Sequence, residues 1–255
     1  MTEPTLLELL KSGVHFGHQT AKWHPRMKPF IFTSRNGIHI IDLEKSVAML
    51  RKAQEYVRDL VAGGGTILFV GTKRQAKEIV KQAAESSGAP SVTERWLGGL
   101  FTNYGTVGKV IERLRTLTAD RAAGKLEKYV KKERIQFDEE IEKLEKLVGG
   151  MRDVTKLPNA IFVVDIKTEK TAVREAKKIG IPIVAMVDTN TDPEGIAHPI
   201  PANDDATKSI ELITRLIAEA VAEGKAAFAE MQAAKKAQEA ATPLPLEPTV
   251  PVKKD

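Results

Sequence analysis

Thr66-Ile-Leu-Phe-Val-Gly-Thr-Lys73 decides the architecture. The apolar run from Thr66 to Val70 is short and closes on Gly71-Thr72, and a basic helical pattern follows from Lys73 to Ser87, which together make one β–α unit. The alternation returns in Ala160-Ile-Phe-Val-Val164, a helical pattern from Glu169 to Ile179, the run from Pro182 to Val187, and a helix that starts near Asp204 and continues beyond Ile217. Strands that are apolar on both faces and separated by helices belong to a parallel sheet covered on both sides. The expected fold class is α/β.

Working outward, Leu6, Leu7, Leu9 and Leu10 between Thr5 and Gly13 mark a short amphipathic helix with a glycine stop. From Lys11 through Ile41 there is no Asp or Glu, whereas Lys11, Lys22, Arg26, Lys28 and Arg35 are basic and His15, His18, His24 and His39 lie among them. Within that stretch Ser34-Arg35-Asn36-Gly37 separates two apolar runs. The Asn-Gly pair supplies the positive φ angles of a tight turn, so an N-terminal antiparallel β-hairpin extension is predicted. Asp42 to Ala62 has helical spacing and stops at Gly63-Gly64-Gly65.

Between the two halves of the sheet, Tyr104 to Ala123 carries the stripe Val107, Ile111, Leu114 and Leu117, and Lys131 to Val148 carries Phe137, Ile141, Leu144 and Val148. Nearly everything else there is charged. Two narrow seams with Gly124 between them fit an inserted coiled-coil hairpin that ends at Gly149-Gly150. The chain thus divides into an α/β domain over 1–101 and 151–225, a helical hairpin over 102–150, and a tail over 226–255. The tail starts as a fraying helix and ends in a proline-rich segment expected to be disordered.

Composition narrows the chemistry. The 255 residues carry 39 Lys+Arg against 34 Asp+Glu, a net charge of +5, with 42% hydrophobic and 29% charged residues, ordinary for a globular protein. Cysteine is absent, which removes disulfides, thiolate nucleophiles and Cys-ligated metals. No apolar run approaches the roughly 20 residues that span a bilayer, and Met1 to Gly13 lacks the pattern of a signal peptide, so a cytosolic location is expected. The Gly71-Thr72-Lys73 junction lacks the full glycine frame of a nucleotide-binding loop and reads as an ordinary βα turn.

Asp165, Asp188, Asp192, Asp204 and Asp205 include residues near expected C-terminal strand ends, where open α/β sheets place ligands. His18, Asp188, Asp204 and Asp205 form the candidate metal set, for zinc or magnesium, with His15 as the alternative imidazole; no cofactor is required. A structural reading competes: Asp204 or Asp205 as the N-cap of the following helix, Asp188 as a turn residue, and Trp23 and Trp96 as buried anchors. The basic stretches concur with one another. Lys22, Arg26, Lys28 and Arg35 are unopposed by acid, Arg74, Lys77 and Lys81 recur along a helix, and Arg95 precedes Trp96, a distribution suited to the phosphates of a folded polynucleotide.

Gly13-Val-His-Phe-Gly-His18, Trp23 with Pro25 and Met27, Arg35-Asn-Gly-Ile-His-Ile-Ile-Asp42, the 66–73 block, Arg95-Trp-Leu-Gly-Gly99 with Thr102-Asn103, Leu157-Pro-Asn-Ala-Ile-Phe-Val-Val-Asp165 and Ile200-Pro-Ala-Asn-Asp-Asp-Ala206 occur in this order. In these blocks the sequence resembles the family of ribosomal protein two of the bacterial small subunit, over about residues 5 to 220. The resemblance implies a non-catalytic, cytoplasmic component of the small ribosomal subunit with a flavodoxin-like parallel sheet and an inserted helical hairpin. It further implies binding to small-subunit (16S) ribosomal RNA at the head–body junction, contact with other small-subunit proteins, and help in holding the large first protein of the subunit. Neither a membrane partner nor a homo-oligomer is expected.

The RNA contacts carried over by that resemblance are Lys22, Arg26, Lys28, Arg35, Lys73, Arg74 and Arg95, with Asn36, Trp96 and Asn103 beside them. His24 stands where the family commonly has Asn, and Ala202 where it has Gly. The competing class, a nucleotide- or metal-dependent α/β enzyme, needs a nucleophile with an adjacent base, which the scattered carboxylates do not offer.

Overall fold

A computed structural model describes residues 3–241. The elements run in chain order as α1 (Leu6–Lys11), β1 (Phe16–Gln19), β2 (Ile31–Arg35), β3 (Ile38–Ile41), α2 (Leu43–Ala62), β4 (Ile67–Val70), α3 (Lys77–Ser87), β5 (Ser91–Val92), α4 (Tyr104–Ala122), α5 (Lys131–Val148), β6 (Ala160–Val163), α6 (Lys170–Ile179), β7 (Ile183–Val187), β8 (His198–Pro201) and α7 (Thr207–Ala241). Strands β4 to β8 form one parallel sheet in the order β5-β4-β6-β7-β8. The order reverses between β4 and β6, which is the flavodoxin-like topology.

Alternation along the strands builds two cores. Ile67, Phe69, Ala160, Phe162, Val184 and Met186 point to one face, where α2, α3 and α7 cover them. Leu68, Val70, Ile161, Val163, Ile183, Ala185 and Val187 point to the other, under α4, α5 and α6. Successive side chains of a strand face opposite ways, so a continuous apolar run becomes the middle layer of a three-layer molecule. Phe69 and Phe162 meet edge to face at 5.3 Å on neighbouring strands.

The N-terminal lobe is a second, antiparallel sheet in the order β1-β3-β2. Asn36 (φ 51°) and Gly37 (φ 75°) take the two left-handed positions of the β2–β3 turn, as a two-residue hairpin loop demands. Asp42 then caps α2, its carboxylate accepting from the Glu44 and Lys45 amides. In the 102–150 region, α4 and α5 turn back on each other through Gly124 (φ 69°) and bury Val107, Ile111, Leu114 and Leu117 against Ile141 and Val148. Arg113 bridges the pair to Glu140 at 2.9 Å.

Several expectations need correction. The helix expected from Lys73 starts at Lys77, because residues 73–76 form a turn in which the Lys73 carbonyl accepts from the Ala76 and Lys77 amides. The last helix starts at Thr207, so neither Asp204 nor Asp205 is its N-cap; both lie in a turn closed by Asn203, whose Oδ1 accepts from the Asp205 and Ala206 amides. That helix runs to Ala241, through the part of the tail read as helical, and the proline-rich 242–255 lies outside the described residues. Strands β1, β5 and β8 had no counterpart in the sequence reading. β8 is His198-Pro-Ile-Pro201, and its two prolines are tolerated because it lies at the sheet edge.

One buried carboxylate ties the hairpin's root to the sheet domain. Glu175 on α6 accepts from Trp96 Nε1 at 3.2 Å, the amides of Gly99, Phe101 and Thr102 at 2.7, 3.0 and 3.2 Å, and the Thr102 hydroxyl at 3.3 Å. Burial pushes this carboxyl's pKa up, but the ring of N–H donors outweighs it and holds the group below its ordinary value. Glu175→Ala strands these donors and is expected to cost on the order of 3 kcal/mol. Urea unfolding of the full chain measures the loss, and limited proteolysis should show new cleavage within residues 96–103.

Candidate functional site

All strands of a parallel sheet deliver their carboxyl ends to one edge, and here four of those ends carry the charged residues. Asp165 follows β6, Asp188 follows β7, Asp204 and Asp205 follow β8, and Lys73 follows β4. The Lys73 ammonium lies 2.6 Å from Asp205, 3.1 Å from Asp204 and 3.3 Å from Asp165, and it also donates to the Asp204 carbonyl at 2.7 Å. Asp165 holds φ at 66°, a left-handed strand exit that an L-residue adopts rarely. Its own carboxylate stabilises that exit by accepting from the Lys167 and Thr168 amides and the Thr168 hydroxyl.

His18 reaches the same cluster from the N-terminal lobe. Gly17 permits this approach: a Cβ there would stand 2.6 Å from the Thr189 methyl. The His18 amide donates to Thr189 Oγ1 at 2.8 Å, and the His24 amide donates to the Thr189 carbonyl at 2.7 Å. The imidazole then lies between two acids, with Nδ1 3.1 Å from Asp188 and Nε2 3.3 Å from Asp205. At the departure His24, Nδ1 accepts from the Arg26 amide at 3.4 Å, so this histidine supplies the cap at the start of the 25–30 turn. Ala202 is fully buried and is not among the left-handed residues.

The acids crowd one another. Asp204 is pushed up to about 7, chiefly by burial and then by the charges of Asp165 and Asp188, against the pull of Lys73. The hydrogen bond to Asp188 raises His18, opposed by its partial burial. Burial works to lower Lys73, yet Asp205, Asp204 and Asp165 together raise it well above the usual lysine value. Asp205, despite some burial, is held low by the Lys73 ammonium and then by His18. Of the candidate metal set, His18, Asp188 and Asp204 each offer a ligand atom within 4.8 Å of the others, while Asp205 faces Lys73 and His18.

The candidate RNA contacts fall into two groups. Lys22, Lys28, Arg35, Arg74 and Arg95 are exposed and have no hydrogen-bond or ion-pair partner among the described residues. Asn36 sits exposed at the hairpin tip, and Asn103 opens α4 with its side-chain Oδ1 accepting from the Thr106 hydroxyl. The other three are engaged internally. Arg26 is held by Asp192 at 2.7 Å and by Glu194, so it is unopposed in sequence but not in space. Lys73 serves the acid cluster, and Trp96 is buried against Phe101 and Glu175 with no face open for stacking.

Asp165, named among the strand-end acids, stands where that reading put it, whereas Thr189 and Glu175 were missed as organising residues. Nothing local marks these two, because their partners lie more than 70 positions away in the chain.

The family described as Ribosomal protein S2 matches the chain over residues 9–224. A protein of Acidothermus cellulolyticus named small ribosomal subunit protein uS2 is 52% identical over 234 residues, covering 91% of this chain and 85% of that protein. Proteins of the same name from Micrococcus luteus and Mycolicibacterium vanbaalenii are each 51% identical, covering 94% and 96% of this chain and 84% and 89% of their own lengths.

Two outcomes test the cluster. In chelator-treated protein, Asp204 retains a proton that the unfolded chain releases near pH 3.8, so its contribution to stability falls as pH climbs from there to about 7 and then levels off. The raised His18 acts with the same sign, its contribution present below 6.5 and lost as pH rises through the folded value. Melting temperature should therefore decline between about pH 5 and 8, and Asp204→Asn should flatten the decline. Lys73→Met leaves the acids uncompensated and should cost about 3–5 kcal/mol at pH 8, and visibly less at pH 5.

Proposed function

The chain belongs to the ribosomal protein S2 family, and we infer from that membership that it is a structural constituent of the small ribosomal subunit that binds the subunit's RNA through exposed cations. The observation that carries the RNA contact is the lobe built from residues 11–41: it contains no acid, and Lys22, Lys28 and Arg35 stand exposed and unpartnered on it. Arg74 and Arg95 lie beyond the carboxyl ends of β4 and β5, on the edge where the lobe is attached through Thr189. Lysine and arginine in this arrangement displace counterions from phosphates, a binding mode that needs no catalytic group. The Lys73 cluster supports the same reading, since it locks strand ends together.

The finer partners follow from the same reading: small-subunit (16S) ribosomal RNA, neighbouring small-subunit proteins, and the first protein of the subunit, with assembly and translation in the bacterial cytoplasm as the setting. The role is non-enzymatic. Among the described residues a divalent cation has one site of suitable donors, His18 with Asp188 and Asp204, and a nitrogen with two carboxylates favours zinc over magnesium. Calorimetric zinc titration that shows no binding, or binding undiminished in Asp188→Asn, would remove the cation from the account.

Charge reversal at Lys22, Lys28 and Arg35 should leave the melting temperature within a few degrees of the parent and weaken sedimentation with small subunits. The log–log salt slope for RNA binding should drop by about 2–3. An unchanged slope would refute the contact assignment.

A further inference from the structure

The stretch Lys167-Thr-Glu-Lys-Thr-Ala-Val-Arg-Glu-Ala-Lys-Lys178 looks like an evenly mixed charge run. The fold separates the signs. Glu169 is 3% exposed, with its carboxylate accepting from the Thr72 amide at 2.7 Å, and Glu175 is 8% exposed inside its ring of donors. Lys167, Lys170, Arg174, Lys177 and Lys178 all face solvent. Lys177 donates to the Glu194 carbonyl, while the side chains of Lys167, Lys170, Arg174 and Lys178 have no carboxylate or other polar partner among the described residues. The exposed charges of α6 are therefore all cationic, although its sequence carries both signs.

We propose that this face of α6 and the turn before it, through Lys167, Lys170, Arg174 and Lys178, is a second phosphate-binding surface for the backbone of folded RNA, separate from the N-terminal lobe. It deepens the function proposed above and rests on that reading. Residues 170, 174 and 178 repeat every four positions, which sets their α-carbons about 6 Å apart along one side of the helix. With residues 190–192, α6 also walls an open groove of about 460 Å³. Across the groove Asp192 pairs with Arg26, which also holds Glu194, whereas among the described residues no carboxylate lies within ion-pair distance of Lys170 or Arg174.

Phosphate fits this face better than an acidic protein does. Stable protein interfaces need apolar or aromatic anchors at their centre. Here Ile166 and Val173 are buried in the core, and Ile179 at 41% exposed is the large apolar side chain of α6 that reaches solvent.

The test measures binding of the full chain to small-subunit ribosomal RNA by filter retention between roughly 50 and 200 mM salt. Lys170→Glu/Arg174→Glu/Lys178→Glu should weaken binding at least about tenfold and lower the log–log slope by about 2–3. The alanine triple at the same positions, which creates no new charge, should do the same more mildly with an unchanged melting curve. Arg51→Glu/Lys52→Glu/Arg215→Glu makes the same charge change on the α2 and α7 side and should have little effect. If the α6 variants keep the parental slope while the Lys22, Lys28 and Arg35 variant loses it, this surface falls and the general reading stands. If the parent shows no salt-dependent binding, both fall. Parental RNA binding combined with failure to join small subunits would assign the face to a protein and overturn the proposal.

Discussion

A parallel sheet has an electrostatic problem built into it: whatever follows its strands is gathered at one edge. Here that edge receives Asp165, Asp188, Asp204 and Asp205, and Lys73 is the ammonium that makes their company tolerable. Such a cluster need not be more stable than an apolar plug of the same shape, but no member can be removed alone without exposing the others' repulsion. That dependence fixes geometry. The β4 turn is held to the β8 exit by Lys73, and Asp205 and Asp188 in turn hold His18, on which the placement of the N-terminal lobe depends.

The same inward turning of acids explains why the net charge of +5 understates the surface. Among the described residues the buried charged side chains are Asp165, Glu169, Glu175, Asp188 and Asp204, all of them acids. Lys22, Lys28, Arg35, Arg74 and Arg95 remain outside without partners. A mild excess in composition becomes a strong bias in what a polyanion meets, because its field is felt from the surface within about 10 Å at ordinary salt.

Local physics was legible in the sequence. The apolar runs at 66–70 and 160–164 gave the strands, Asn36-Gly37 gave the hairpin turn, and the two stripes at 104–123 and 131–148 matched helices that differ by at most a residue at their ends. What stayed hidden depends on partners remote in sequence. Lys73 read as a surface cation because the acids that bury it lie more than 90 positions downstream. Arg26 looked free because Asp192 is 166 residues away. Prolines at 199 and 201 concealed β8, a strand that exists because its place at the edge leaves one side without a neighbour to bond.

Glu175 has a mechanical consequence. It grips the loop that leads into α4, and that helix alone is about 28 Å long, stiffened by its seam with α5. The hairpin is therefore a lever whose fulcrum is a handful of hydrogen bonds around one carboxylate. A pivot of about 5° there sweeps the far end through roughly 2.5 Å, so a slight loosening at the root becomes a search radius for whatever the tip touches.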